Sequence, residues 1–179
     1  MACLETGELS LPNCTLQNTS EVVRHSLEPR GKDMVVESNS NAKVMVVDDI
    51  PMMRLMLAKF VKALGRKVFE EVDGCENARC VDIIEASNGK VALEKLRKNK
   101  VSVIFLDLMM PEMDGVTFLG HKNADPALAD VPVIVCSAIG EVVTREKVEE
   151  FGVKGYITKP FTMKTLETKL RETLINAPE

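Results

Sequence analysis

The chain has 179 residues, 45% of them apolar, with a formal charge of −4 and a pI near 5.4. That gives room for one ordinary domain with a tail, and speaks against a two-domain enzyme. The acidic balance offers no basic face to nucleic acid or anionic lipid, no segment approaches the roughly 20 apolar residues of a membrane span, and the N-terminus lacks a signal-peptide pattern. The expectation is a cytoplasmic protein with neither a nucleic-acid nor a membrane partner. Five cysteines, at 3, 14, 75, 80 and 136, include no Cys-x-x-Cys pair, so neither a zinc site nor a disulfide scaffold is expected.

Residues 1–42 hold no sustained period of 2 or 3.6 and mix Ser, Asn, Thr and Glu with isolated apolar residues, which predicts a flexible N-terminal tail. A domain over 43–179 follows. Its patterning predicts strands over 43–47, 81–86, 101–106, 131–136 and 154–158. Helices are predicted over 51–64, 89–98, 114–123, 141–151 and 162–175. Unbroken Val/Ile/Leu runs are the mark of parallel strands buried on both faces. Their alternation with helices predicts an α/β fold, a doubly wound five-stranded parallel sheet with right-handed crossovers and helices on both faces.

Local chemistry sets helix boundaries. Pro51 opens the first helix, Asp114 caps the third ahead of Gly115, and Gly65 and Gly152 stand where helices are expected to stop. The last helix carries Met163, Leu166, Leu170 and Leu174 on one side, suited to packing flat on the sheet. Between Gly65 and Cys80 the sequence RKVFEEVDGCENARC breaks the alternation and reads as an insertion at about 66–80. An extra strand over 67–72 with an Asp73-Gly74 turn would make a hairpin beside 81–86, with a loop as the equal alternative. Charges at Lys67, Glu70, Glu71 and Asp73 would then blunt the sheet edge. Cys75 and Cys80 within it are expected as free thiols in a reducing compartment.

The reactive side chains follow the apolar runs: Asp48 and Asp49 after KVMVV, Asp107 after VSVIFL, Ser137 after VPVIVC and Lys159 after GYIT. In an open α/β sheet, ligands gather outside the carboxyl ends of the strands, so these groups are expected on one rim. Carboxylate pairs near 4 Å repel by about 4 kcal/mol at an effective dielectric of 20. A hard divalent cation, Mg²⁺ or alternatively Mn²⁺, answers that repulsion with oxygen coordination. Lys159, extended before Pro160, adds a fixed ammonium. Acidic turn residues that merely cap the helix at Pro51 would account for the Asp48–Asp49 pair, but not for Asp107 and Lys159.

In this order and spacing, VMVVDD, VIFLDLMMPEMDG, VIVCSA and GYITKPF resemble the receiver domain of two-component response regulators, over about residues 43 to 175. The resemblance implies the flavodoxin-like strand order 2-1-3-4-5. It implies Asp107 as phosphoacceptor, metal coordination by Asp48, Asp49, Asp107 and the Met109 backbone carbonyl, a hydroxyl at Ser137, a lysine at Lys159, a switch aromatic at Tyr156 and a cis Lys159–Pro160 bond. Asp107 would attack a phosphoryl group in line and become an acyl phosphate, in a domain that catalyses only its own phosphotransfer and dephosphorylation. The added charge would draw Ser137 inward and admit the Tyr156 ring, reshaping a 141–175 surface for a downstream target protein.

His25 and His121 lie outside any recognisable kinase phosphorelay motif, so the expected donor is a histidine kinase, a histidine phosphotransfer protein or a small phosphodonor. Only Asn176 to Glu179 follow the last helix, and the expectation is a stand-alone module whose output is protein contact. Met109 and Ile139, apolar and two residues beyond Asp107 and Ser137, are expected to hinder the water that hydrolyses the acyl phosphate. Two other functions remain open. A Mg-dependent aspartyl-phosphate phosphatase or phosphotransferase is disfavoured because no second acid stands two residues after Asp107. A non-phosphorylated docking scaffold is disfavoured because every reactive position is filled.

Overall fold

The computed structural model describes residues 41–73, 81–138 and 148–175. Within them the chain runs β1 (Ala42–Val47), α1 (Pro51–Asp73), β2 (Val81–Ala86), α2 (Gly89–Leu96), β3 (Val103–Asp107), α3 (Gly115–Ala124), β4 (Val133–Ala138), β5 (Gly155–Lys159) and α4 (Met163–Ile175). The strands form one parallel sheet in the order β2-β1-β3-β4-β5. This is the expected doubly wound topology, with strand boundaries within two residues of expectation. Most of the helix expected over 141–151 lies outside the described residues, as do residues 1–40 of the expected tail. Ala42, assigned to that tail, is already the first residue of β1.

The sheet is covered on both faces because its strands are apolar at odd and even positions alike. Val44, Val46, Val103, Phe105, Ile134, Cys136 and Ile157 share one cluster with Leu57, Val61, Val68 and Phe69 of α1 and Leu166 and Leu170 of α4. Met45, Val47, Ile104, Leu106, Val133 and Val135 face the other way, against Leu93 and Leu96 of α2, Phe118 and Leu119 of α3, and Val148. Helix starts are capped by side chains: Asn88 Oδ1 accepts from Val91 N at 2.9 Å and Asp114 Oδ1 from Thr117 N at 2.7 Å. Thr162 Oγ1 accepts from Thr165 N at 3.2 Å where α4 begins. Gly152 turns the chain at φ 69°, the left-handed region glycine enters without steric cost.

Two local expectations are corrected. The first concerns 66–80. Residues 66–73 are no strand; they prolong α1, which at 23 residues is roughly 34 Å long at 1.5 Å per residue. Val61, Gly65, Val68 and Phe69 are buried at helical spacing, so the core-facing stripe continues through the region read as a hairpin. Gly65 does not stop the helix. A Cβ there would lie 2.6 Å from Val81 Cγ2, so the glycine serves a close helix-to-strand approach. Lys67 and Glu71 guard no sheet edge; they pair with Glu167, at 3.5 Å, and Arg171 on α4. Residues 74–80, with Cys75 and Cys80, lie outside the described residues. The second correction is Met163, placed on the apolar side of the last helix but 40% exposed, while Leu166 and Leu170 are fully buried and Leu174 packs beside them. Among the described residues no helix is long and apolar enough to cross a membrane.

Candidate functional site

The carboxyl ends of β1, β3 and β5 bring Asp48, Asp49, Asp107 and Lys159 together. Asp48, just past β1, is 2% exposed. Its Oδ1 accepts from Ile50 N at 2.9 Å, tightening the turn into α1, and its Oδ2 accepts from Lys159 Nζ at 2.7 Å. Asp107 ends β3 and is 7% exposed, with its Oδ2 2.9 Å from the same Nζ. The approach follows from register. Asp107 pairs with Cys136 of β4, Cys136 pairs with Ile157 of β5, and Lys159 lies two residues beyond Ile157, hence on the same face. The Lys159–Pro160 peptide is cis, as the resemblance implies. Asp49 is half-buried, and Asp48, Asp49 and Asp107 each offer a carboxylate oxygen within 4.8 Å of the others.

The backbone behind Asp107 is tightly held. Gly115 N donates to Leu108 O at 2.9 Å and Gly89 N to Met113 O at 3.0 Å, which fixes both ends of the loop from β3 to α3. A Cβ on Gly115 would lie 2.5 Å from Asp107 O and 2.8 Å from Leu108 Cα. Glycine is required because the helix start presses on the strand end itself. Met109, 66% exposed, lies at the mouth of the site, and its N–H donates to Asp107.

Burial pushes the Asp107 carboxyl above the usual carboxylate value, and the neighbouring Asp48 charge adds to this. The hydrogen bond and charge of Lys159 oppose the shift without cancelling it. For Lys159, burial works against the ammonium, but hydrogen bonds and charge from Asp48 and Asp107 outweigh it and hold the amine above its ordinary value. One ammonium thus faces three acids, a set suited to a hard divalent cation with oxygen ligands. The Cys136 thiol, buried beneath the pair, is pushed up to about 12.

Two of the remaining expected residues, Ser137 and Tyr156, lie among the described residues. Ser137 is fully buried at the end of β4, pairs in register with Thr158, and its hydroxyl donates to Ala138 O at 3.4 Å. Tyr156 is half-buried on β5 against the α2/α3 face of the sheet. Ile139 and the 139–147 segment lie outside the described residues.

One residue escaped sequence reading. Arg54, one turn into α1, donates from Nη1 to the carbonyls of Asp48, at 2.7 Å, and Asp49, at 3.1 Å, while its Nε lies 3.6 Å from Glu85 Oε2. The signal available was a basic residue five positions after a paired acid, on the first turn of a helix that starts at that pair. It looks like any solvated helix charge until the turn is folded.

The family model for the response regulator receiver domain matches residues 44–171. This chain belongs to that family, whose members are signalling domains phosphorylated by histidine kinases in two-component systems. It is 34% identical over 139 residues to the probable transcriptional regulator ycf27 of Pyropia yezoensis, covering 78% of this chain and 50% of that one. It thus spans about half the length of that relative. It is also 32% identical over 132 residues to chemotaxis protein CheY-3 of Vibrio cholerae, covering 74% of this chain and 91% of that one. Among solved structures it is similar to Vibrio cholerae chemotaxis protein CheY4, with a TM-score of 0.63, 24% identity and coverage of 75% and 100%. A response regulator receiver protein from Pseudomonas putida gives a TM-score of 0.62, 22% identity and coverage of 74% and 98%.

Proposed function

We propose that the unit over 43–179 is a phosphoacceptor module in which Asp107 takes a phosphoryl group from the phosphohistidine of a histidine kinase or histidine phosphotransfer protein. An Asp107 carboxylate oxygen forms the new bond to phosphorus, the P–N bond to the donor imidazole breaks, and the imidazole leaves with the electron pair. What carries this reading is one observation: the buried Asp107 carboxylate lies 2.9 Å from the Lys159 ammonium and within 4.8 Å of the acidic pair.

Asp48, Asp49, Asp107 and the Met109 carbonyl would hold Mg²⁺, or Mn²⁺ in its place. When bound, the ion supplies positive charge to the equatorial phosphoryl oxygens. Lys159, already bridging Asp48 and Asp107, is placed to pass its hydrogen bond from carboxylate to phosphoryl oxygen. Ser137 donates to the phosphoryl group as its loop moves, and Tyr156 follows, so the 141–175 surface changes its affinity for a downstream target protein. The residues before β1 stand outside this cycle as a tail, the setting is cytoplasmic, and the module turns over no external substrate.

Acetyl phosphate with Mg²⁺ is expected to add the mass of a single phosphoryl group to the full chain, and to add none to Asp107→Asn or to wild type in chelator. Labelling that survives Asp107→Asn would overturn the assignment. Met109, at the mouth, screens the acyl phosphate from attacking water. Phosphorylated Met109→Asn is therefore expected to lose its phosphoryl group several-fold faster than wild type, and an equal or slower loss would remove that role.

A further inference from the structure

We infer that Arg54 is a positioning residue for the cation site, and that it acts through Asp49. This rests on the proposed metal reading and extends it to a residue that touches neither metal nor phosphoryl group. The two acids of the pair are held differently. Asp48 is fixed through its own carboxylate, by Ile50 N at 2.9 Å and Lys159 Nζ at 2.7 Å, and through its backbone, by Asp48 N donating to Ala86 O at 3.2 Å. The Asp49 carboxylate has no hydrogen bond or ion pair among the described residues. What ties residue 49 down is its carbonyl, which accepts from Arg54 Nη1 at 3.1 Å while the same nitrogen donates to Asp48 O at 2.7 Å.

A guanidinium suits this task. Its donors lie in a rigid plane, so one edge can pin two successive carbonyls while Nε faces Glu85 Oε2 at 3.6 Å on the end of β2. The side chain is only 17% exposed, which limits competition from water. Arg54 thereby staples the β1–α1 turn to the neighbouring strand and sets the direction in which Asp49 points. Partners that orient a metal ligand commonly affect affinity by about 10- to 100-fold.

The sign of the effect separates positioning from plain electrostatics. A cation beside a cation site repels the incoming ion, so on charge alone removing Arg54 tightens metal binding; on positioning it weakens it. The experiment measures Mn²⁺ affinity of the full chain by electron paramagnetic resonance of the free ion, with thermal melts to verify folding. Arg54→Gln and the charge-conserving Arg54→Lys are each expected to weaken Mn²⁺ about tenfold. In an Asp49→Asn background the further loss from Arg54→Lys is expected to fall below about twofold, because the residue it positions is no longer an acid. Arg54→Lys binding as tightly as wild type, or tighter binding by Arg54→Gln, overturns the inference. So does the same penalty with and without Asp49. If wild type itself fails to bind Mn²⁺, the metal reading fails, and the inference falls with it; tight wild-type binding with an indifferent Arg54 removes the inference alone.

Discussion

At the scale of single residues, the site asks Asp107 to ionise where burial opposes it. A carboxyl raised above its unfolded value of 3.8 binds its proton more tightly in the native state. Over the window from that unfolded value up through the raised folded one, the native chain therefore holds more protons than the unfolded chain, and stability falls as pH rises. Asp107→Asn has no such titration. Its stability relative to wild type, measured by urea unfolding, is expected to improve as pH climbs through that window, and a difference that is flat or moves the other way would contradict the burial account. Lys159 contributes with the same sign in an alkaline window. Its raised amine stabilises the fold fully below 10.5, and the contribution disappears as pH rises through the folded value. The acids and the lysine were legible because each follows an apolar run that only a buried strand explains. Arg54 was hidden because a charge on a helix is by default a solvated charge, and its acceptors are backbone carbonyls, which carry no residue identity.

At the scale of elements, helix starts could be read and one helix end could not. Pro51 and Asp114 declare themselves through side-chain chemistry. Gly65 declared a false end, since the same absence of a Cβ serves a helix terminus and a close contact equally well, and only the position of Val81 distinguishes them. The helical extension has a measurable signature. Phe69, buried between α1 and the sheet, is expected to cost about 3–5 kcal/mol on substitution by Ala. Glu71→Ala, which removes an ion pair between half-exposed partners on α1 and α4, is expected to cost less than about 1 kcal/mol. Urea unfolding of the two variants checks both. A small effect at Phe69 would mean that residues 66–73 do not pack as a helix.

At the scale of the molecule, the parallel sheet was the most legible feature, because continuous apolar runs separated by helices leave few other topologies. The order β2-β1-β3-β4-β5 also explains how residues 59 positions apart, Asp48 and Asp107, reach one cleft: β1 and β3 are neighbours, so their carboxyl ends open together. Ligand binding at that cleft is linked to global stability. Mg²⁺ at 100 times its dissociation constant is expected to add about 2.7 kcal/mol, seen as a higher melting temperature in Mg²⁺ than in chelator. Asp49→Asn is expected to lose most of that gain, and an unchanged melt for wild type would argue against a metal site.

Cys136 sits 1% exposed in the middle strand pair, directly in register with Asp107, with its thiol pushed up to about 12. Such a sulfur is almost never a thiolate at neutral pH, and alkylating or oxidising reagents have no route to it while the strands stay zipped. In a chain whose other four cysteines are replaced by serine, iodoacetamide becomes a stopwatch for momentary openings of the sheet centre. That stopwatch is expected to slow when Mg²⁺ and beryllium fluoride fill the cleft above, so a single sulfur tells how firmly signalling chemistry at the rim clamps the heart of the fold.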